Sequence, residues 1–203
     1  MHAKPDLRVF LKWMINRSGS VITAVIRLMN TQNKFEYLIS LLPSQVSSTL
    51  RPNTNAGAIH VANCRIAENG LSVELPQALV DIWMLHDGQH GNEYLFQDFA
   101  LLKVAKAISE YSELCCLLRE NDPYYDDPDP YAPKQELWEK WYDPILFPIG
   151  WTPGSGCLYL VHLQNEQIWH FNADGGLSGG RYNSIDDLLQ ETIEFYLEDA
   201  NGG

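Results

Sequence analysis

The segment from Leu75-Pro76-Gln77 to His86-Asp87-Gly88-Gln89 constrains what this chain can fold into more than any other. Proline lacks an N–H, and the first helical turn is where that loss does no harm. Leu79, Ile82 and Trp83 then fall on one face, with Met84 and Leu85 close by. Gly88 suits the left-handed position that closes a helix. Asp87 reads as a turn former that bonds its own main chain. The spacing predicts a short amphipathic helix over residues 76–86.

Periodicity along the rest of the chain alternates between helical and extended. Phe35, Leu38, Ile39, Leu42 and Val46 recur at helical spacing, predicting a helix over 33–42 that Pro43 ends or bends. Residues 50–55 read as a loop, with Pro52 and two asparagines as breakers. Residues 58–67 alternate loosely and predict a strand. Tyr94, Phe96 and Phe99 mark a strand and turn over 93–102. Val104, Ile108, Tyr111, Cys115 and Leu118 step by four, three, four and three, a helical stripe that Asn121-Asp122-Pro123 ends.

A strand is expected at 145–149. Runs at 157–163 and 167–171 flank Gln164-Asn165-Glu166 and are rich in Val, Ile, Tyr, Trp and Phe, as in a β-hairpin. Asp174-Gly175-Gly176 and Gly179-Gly180 read as a glycine-rich turn region. Ser184 and Asp187 form a capping box. Behind it Ile185, Leu188, Leu189, Thr192, Phe195 and Tyr196 share one helix face, and Asp186 and Asp187 sit at the helix's positive end. The order of elements implies an α+β class with a mostly antiparallel sheet and packed helices.

A chain of 203 residues suits one domain with a sizeable core. Residues 1–30 read as an N-terminal extension, which would lie on the domain, touch a membrane surface weakly or stem from an upstream start codon. The domain is expected over 31–203, with an insertion at 121–141. Val21–Met29 is too short for a membrane span and carries Arg27. No small-residue cleavage site follows a proper apolar run, so no signal peptide is expected. Cys64, Cys115, Cys116 and Cys157 contain no CxxC pair and read as buried thiols in a reducing cytoplasm.

Charge is unevenly spread. Residues 1–60 carry +5 and residues 61–203 carry −17, giving the net −12. A body this acidic repels phosphate backbones, which argues against nucleic-acid binding. It would attract a basic partner and speed the encounter. The plain alternative is that the charge serves solubility.

Together these landmarks resemble the SUKH superfamily, whose founding members are fungal Smi/Knr cell-wall synthesis regulators. Leu75-Pro76 with the Leu85-His86-Asp87-Gly88 ending is one part of the likeness. Pro148-Ile149-Gly150 and Gly154-Ser155-Gly156, followed by the hairpin with Trp169, is the second. Ser184-Ile185-Asp186-Asp187-Leu188-Leu189 is the third. The resemblance spans residues 33–198. It implies a SUKH-like single domain that binds proteins. Bacterial members serve largely as immunity proteins that neutralise a cognate toxin, often a nuclease, and fungal members regulate wall assembly and signalling.

Candidate chemistry is sparse. His86 and His90 are four apart, but Gly88 between them breaks the helix face that a metal pair would need. His162 and His170 lie on opposite arms of the hairpin as candidate cross-strand neighbours, with packing the plainer role. Residues 152–157 lack the Gly-Lys-Ser/Thr ending of a phosphate loop, and Gly154-Ser155-Gly156 is not a hydrolase elbow. Cys157 has no base nearby in sequence and reads as packing. No nucleophile, base and orienting group come together, so a non-enzymatic protein without cofactor or metal is expected.

The segment Asn121–Pro133 reads NDPYYDDPDPYAP and is expected to be an exposed acidic–aromatic loop, not a calcium loop. Trp83, Trp151 and Trp169 are assigned to the core. Tyr124, Tyr125, Asp126, Asp127, Asp129, Trp138 and Trp141 are the candidate partner-binding residues. Aromatic anchors beside carboxylates would suit a basic toxin or nuclease domain. The other expectation is a regulatory scaffold in wall synthesis or signalling.

Overall fold

A computed structural model describes residues 24–52, 56–120, 142–172 and 176–202. A helical turn at 24–27 brings Ile26 into the core. Helix α1 (Thr31–Leu41) begins where the Asn30 side chain accepts a hydrogen bond from the Asn33 N–H at 2.8 Å. It ends because Leu42 precedes Pro43 and adopts extended backbone. A one-turn helix, α2 (Ser44–Ser47), follows Pro43. Phe35 and Leu38 are fully buried, as their periodicity predicts.

Several of the predicted elements change type. The sequence predicts a loop over residues 50–55, yet Leu50–Pro52 forms strand β1, antiparallel to β2 (His86–Gln89). Proline is tolerated in β1 because the sheet has two strands and each is an edge. Residues 58–67 read as a strand, yet Ala56–Glu68 is helix α3. Its β-branched Ile59, Val61 and Ile66 suggest alternation, but burial follows a helix. Ala62 and Ile66, one turn apart, are fully buried while Val61 is exposed. The alanines in this stretch also favour helix intrinsically.

Helix α4 (Gln77–Leu85) has Pro76 as its N-cap and closes at His86, which is already extended. Gly88 has the expected positive φ of 74°, but it sits within β2 and not at the helix end. A Cβ there would stand 2.5 Å from the Lys103 nitrogen and 2.6 Å from the Leu102 carbonyl oxygen. Close backbone approach, and not helix termination, is therefore what demands glycine. Asp87 also acts at long range. Its carboxylate accepts from the Val104 N–H at 3.0 Å and so caps helix α5 (Val104–Glu120).

The main sheet is a five-stranded antiparallel meander: β3 (Ala100–Leu101), β4 (Leu146–Trp151), β5 (Leu158–His162), β6 (Ile168–Asn172) and β7 (Gly176–Tyr182). The predicted hairpin is β5–β6. Asn165 accepts from the Gln167 N–H across its turn at 3.0 Å. The expectation of a turn region at Gly179-Gly180 fails, because both glycines lie in β7, with Gly180 opposite Trp169. His162 and His170 are not cross-strand neighbours either. Register pairs His170 with Tyr159 and His162 with Leu146. A register shift between Pro148 and Gly150 bends β4, and the Phe99 ring lies where a Gly150 side chain would project. Phe99 in turn stacks on Tyr159 with ring centres 4.1 Å apart.

Helix α6 (Ile185–Gly202) starts at Ser184, whose hydroxyl accepts from the Asp187 N–H at 3.0 Å. Ile185, Leu188, Leu189, Thr192 and Tyr196 are buried as expected, but Phe195 is 45% exposed. Ile193 takes its place in the core. Helices α1, α4 and α6 pack together, α6 reaches β7, and α3 lies on α5, which lies on β4. Lys34 of α1 is buried and donates to Asp186 at 2.6 Å, fastening α1 to the first turn of α6. The architecture is α+β with antiparallel sheets. No described helix is long and apolar enough to cross a membrane.

Gly88→Ala should lower stability by more than about 2 kcal/mol, since left-handed backbone alone costs roughly 1–2 kcal/mol and the contacts with Leu102 and Lys103 come on top. Gly154, also at positive φ but with no atom within 4 Å of the place a Cβ would occupy, is the internal control. Urea unfolding of both alanine variants measures the difference. Equal losses would show that packing against Leu102–Lys103 contributes nothing.

Candidate functional site

Tyr124, Tyr125, Asp126, Asp127, Asp129, Trp138 and Trp141 lie outside the described residues. Tyr111 donates to the Pro144 carbonyl at 3.0 Å, and the buried Tyr142 donates to the Leu146 carbonyl at 2.6 Å. Cys115 sits between these two tyrosines. Burial pushes the Cys115 thiol and both hydroxyls upward. All three groups therefore hold their protons at neutral pH. Their work is to fix α5 against the start of β4, and the thiol is inert as a nucleophile.

A groove of about 630 Å³ opens between α5 and the adjoining ends of β4, β5 and β6. Its walls are mainly apolar: Leu101, Leu114, Trp151, Leu158 and Phe171. Lys103, Lys106, Glu110 and Glu113 edge it, with Lys106 and Glu110 paired to each other. Glu110 holds the Lys106 ammonium above its ordinary range. The buried Gln89 at its floor is fully engaged, donating to Thr49 at 2.9 Å and accepting from the Leu101 N–H at 2.8 Å. The groove suits an apolar side chain. Its edge charges balance.

The histidines are held separately. The His90 ring meets the Thr49 carbonyl at 2.8 Å. The half-buried His86 ring stands edge-on to Phe35 at 6.1 Å, and its Nδ1 is buried with no hydrogen-bond partner among the described residues. Among the described residues, no three His, Cys, Asp or Glu side chains gather as a metal site. The sequence reading of four buried cysteines holds for Cys115 alone. Cys64 and Cys116 are exposed and Cys157 is half-buried, and none of the four is in a disulfide. Trp83 is fully buried, and its indole N–H donates to the Leu102 carbonyl at 3.0 Å. Trp151 and Trp169 lie half-buried at the edge of the core.

Among the described residues acidity is concentrated on α6, which carries six Asp/Glu and no Lys or Arg. Glu191, Phe195, Glu198 and Asp199 form its exposed stripe at helical spacing. Beside them, Gln97 donates to the Glu191 carbonyl and Tyr196 to that of Tyr94, which fixes the 94–97 loop along the helix.

A family model for SMI1/KNR4 (SUKH-1) matches residues 62–191, from within α3 to the second turn of α6. The chain belongs to the SMI1/KNR4 family. This family includes toxin immunity proteins. The matched stretch contains the Pro76 helix, the β4 bend, the hairpin and the capped start of α6. No curated protein matches this chain. Helix α1 precedes the matched stretch but supplies Phe35, Leu38 and Lys34 to the same core.

Desolvation lowers the His86 pKa, and a hydrogen bond that the ring donates to the Arg51 main-chain carbonyl offsets part of that. The folded state therefore binds this proton less readily than the unfolded chain. The contribution to stability is complete above the unfolded histidine value of about 6.5 and shrinks as pH falls below it toward the lowered folded value. Thermal midpoints of His86→Gln should decline less steeply than wild type between about pH 7 and pH 5. Parallel curves would place the acid sensitivity elsewhere.

Proposed function

We propose that this SMI1/KNR4-family protein is a non-enzymatic, cytoplasmic binding protein that neutralises a cognate bacterial toxin by covering its active site or a neighbouring surface. Family membership is the observation that carries this reading. The charge distribution supports it: residues 61–203 hold seven Lys/Arg against 24 Asp/Glu, so a basic toxin or nuclease domain is the natural counterpart. Tyr124, Tyr125, Trp138 and Trp141 would anchor the contact, with Asp126, Asp127 and Asp129 facing the basic surface.

Purified protein used as bait in native lysate should retain one basic toxin or nuclease domain that moderate salt releases. Recovery of wall-synthesis or signalling proteins instead would replace the immunity reading with a scaffold role. With the partner in hand, joint replacement of Asp126, Asp127 and Asp129 by asparagine should slow association by about tenfold at low salt and flatten its salt dependence, while dissociation changes less. Stopped-flow association rates that do not move would remove those three aspartates from the interface.

A further inference from the structure

His60 and Cys64 stand one turn apart on the exposed face of α3, with Nε2 3.6 Å from Sγ. That is the separation of a sulfur hydrogen bond between a nucleophile and a base. Both side chains are open to solvent. Arg65 pairs with Glu68 on the same helix, and Arg119 of α5, which packs against α3, donates to Asn69 at the helix's far end. Two of the other thiols are placed differently. Cys115 is buried, and Cys157 lies 3.8 Å from the Ser155 carbonyl.

We propose that His60 and Cys64 form a reactive thiol pair, and that Cys64 is where this protein forms mixed disulfides with small disulfides of the glutathione type. The neutral imidazole takes the Sγ proton through Nε2. The thiolate then attacks one sulfur of the small disulfide, so that the new S–S bond forms as the old one breaks. The leaving thiolate takes the proton back from the imidazolium, and one small thiol departs. The oxidant is the small disulfide itself, and electrons and protons balance. Attack by thiolate and not thiol is what makes the neighbouring base matter.

The test treats full-length reduced protein with oxidised glutathione and follows each cysteine by peptide mass mapping. Cys64 should carry the adduct first, and Cys64→Ser should abolish the fast phase. His60→Ala and His60→Gln should slow modification at pH 7 by about tenfold or more. That deficit should close as pH rises past the ordinary thiol range of about 8.5, where hydroxide alone supplies the thiolate. A merely structural effect of the substitutions would not vanish with pH, and the glutamine variant retains a good helix former at this exposed site. Equal rates at Cys64 and Cys116, or unchanged rates at pH 7 in both His60 variants, would overturn the proposal.

Discussion

The approach of the β2 backbone to Leu102–Lys103 is the constraint on which the rest of the molecule depends. It places the chain after α4 directly against the start of α5, at a distance only Gly88 permits. The residues on either side then use the proximity. Asp87 caps α5, and Gln89 ties β1's neighbour Thr49 to β3 through Leu101. Trp83, near the end of α4, donates to the Leu102 carbonyl from within the core. Buried polar groups are destabilising unless satisfied, and here each bond also joins two elements. Asp87, Gly88 and Gln89, together with Trp83, thus connect the small sheet, the large sheet and two helices.

The elements are legible in the sequence where local chemistry and tertiary packing agree. Pro76, the stepped stripe of α5, the β5–β6 hairpin and the Ser184 cap each carry a local signal that the fold retains. The sequence misleads where local signals are mixed. Residues 58–67 combine β-branched side chains with alanines, and only the helical burial of Ala62 and Ile66 decides between the two readings. Leu50–Pro52 has no strand signature of its own, because its pairing depends on where His86–Gln89 lies in space. Asp87 likewise looks like a local turn former, yet its partner is 17 residues away.

The same ambiguity hides chemistry. Read as a strand, positions 60 and 64 share a face but lie about 13 Å apart, at the usual rise per residue. Read as a helix, they are one turn apart and in contact. The His60–Cys64 pair therefore has no meaning until α3 is known to be helical. The partner-binding candidates present a different case, since composition nominates Tyr124 through Asp129, and Trp138 and Trp141 follow by their i, i+3 spacing beside that acidic stretch.

Steering and recognition need different parts of a surface. Exposed carboxylates such as those of α6 act over a Debye length, and individually they add little affinity. Their sum accelerates encounter with any cationic protein and does not select among them. Selection requires contacts that lose their water, which means buried aromatic or aliphatic anchors. Among the described residues the two resources are separate: acidity spread along α6, and concave apolar surface in the groove between α5 and the sheet. A relative that kept the acidic body but reshaped its apolar contacts would meet cationic partners just as fast and release most of them quickly. Discrimination between partners should therefore reside in dissociation rates, and salt sensitivity in association rates.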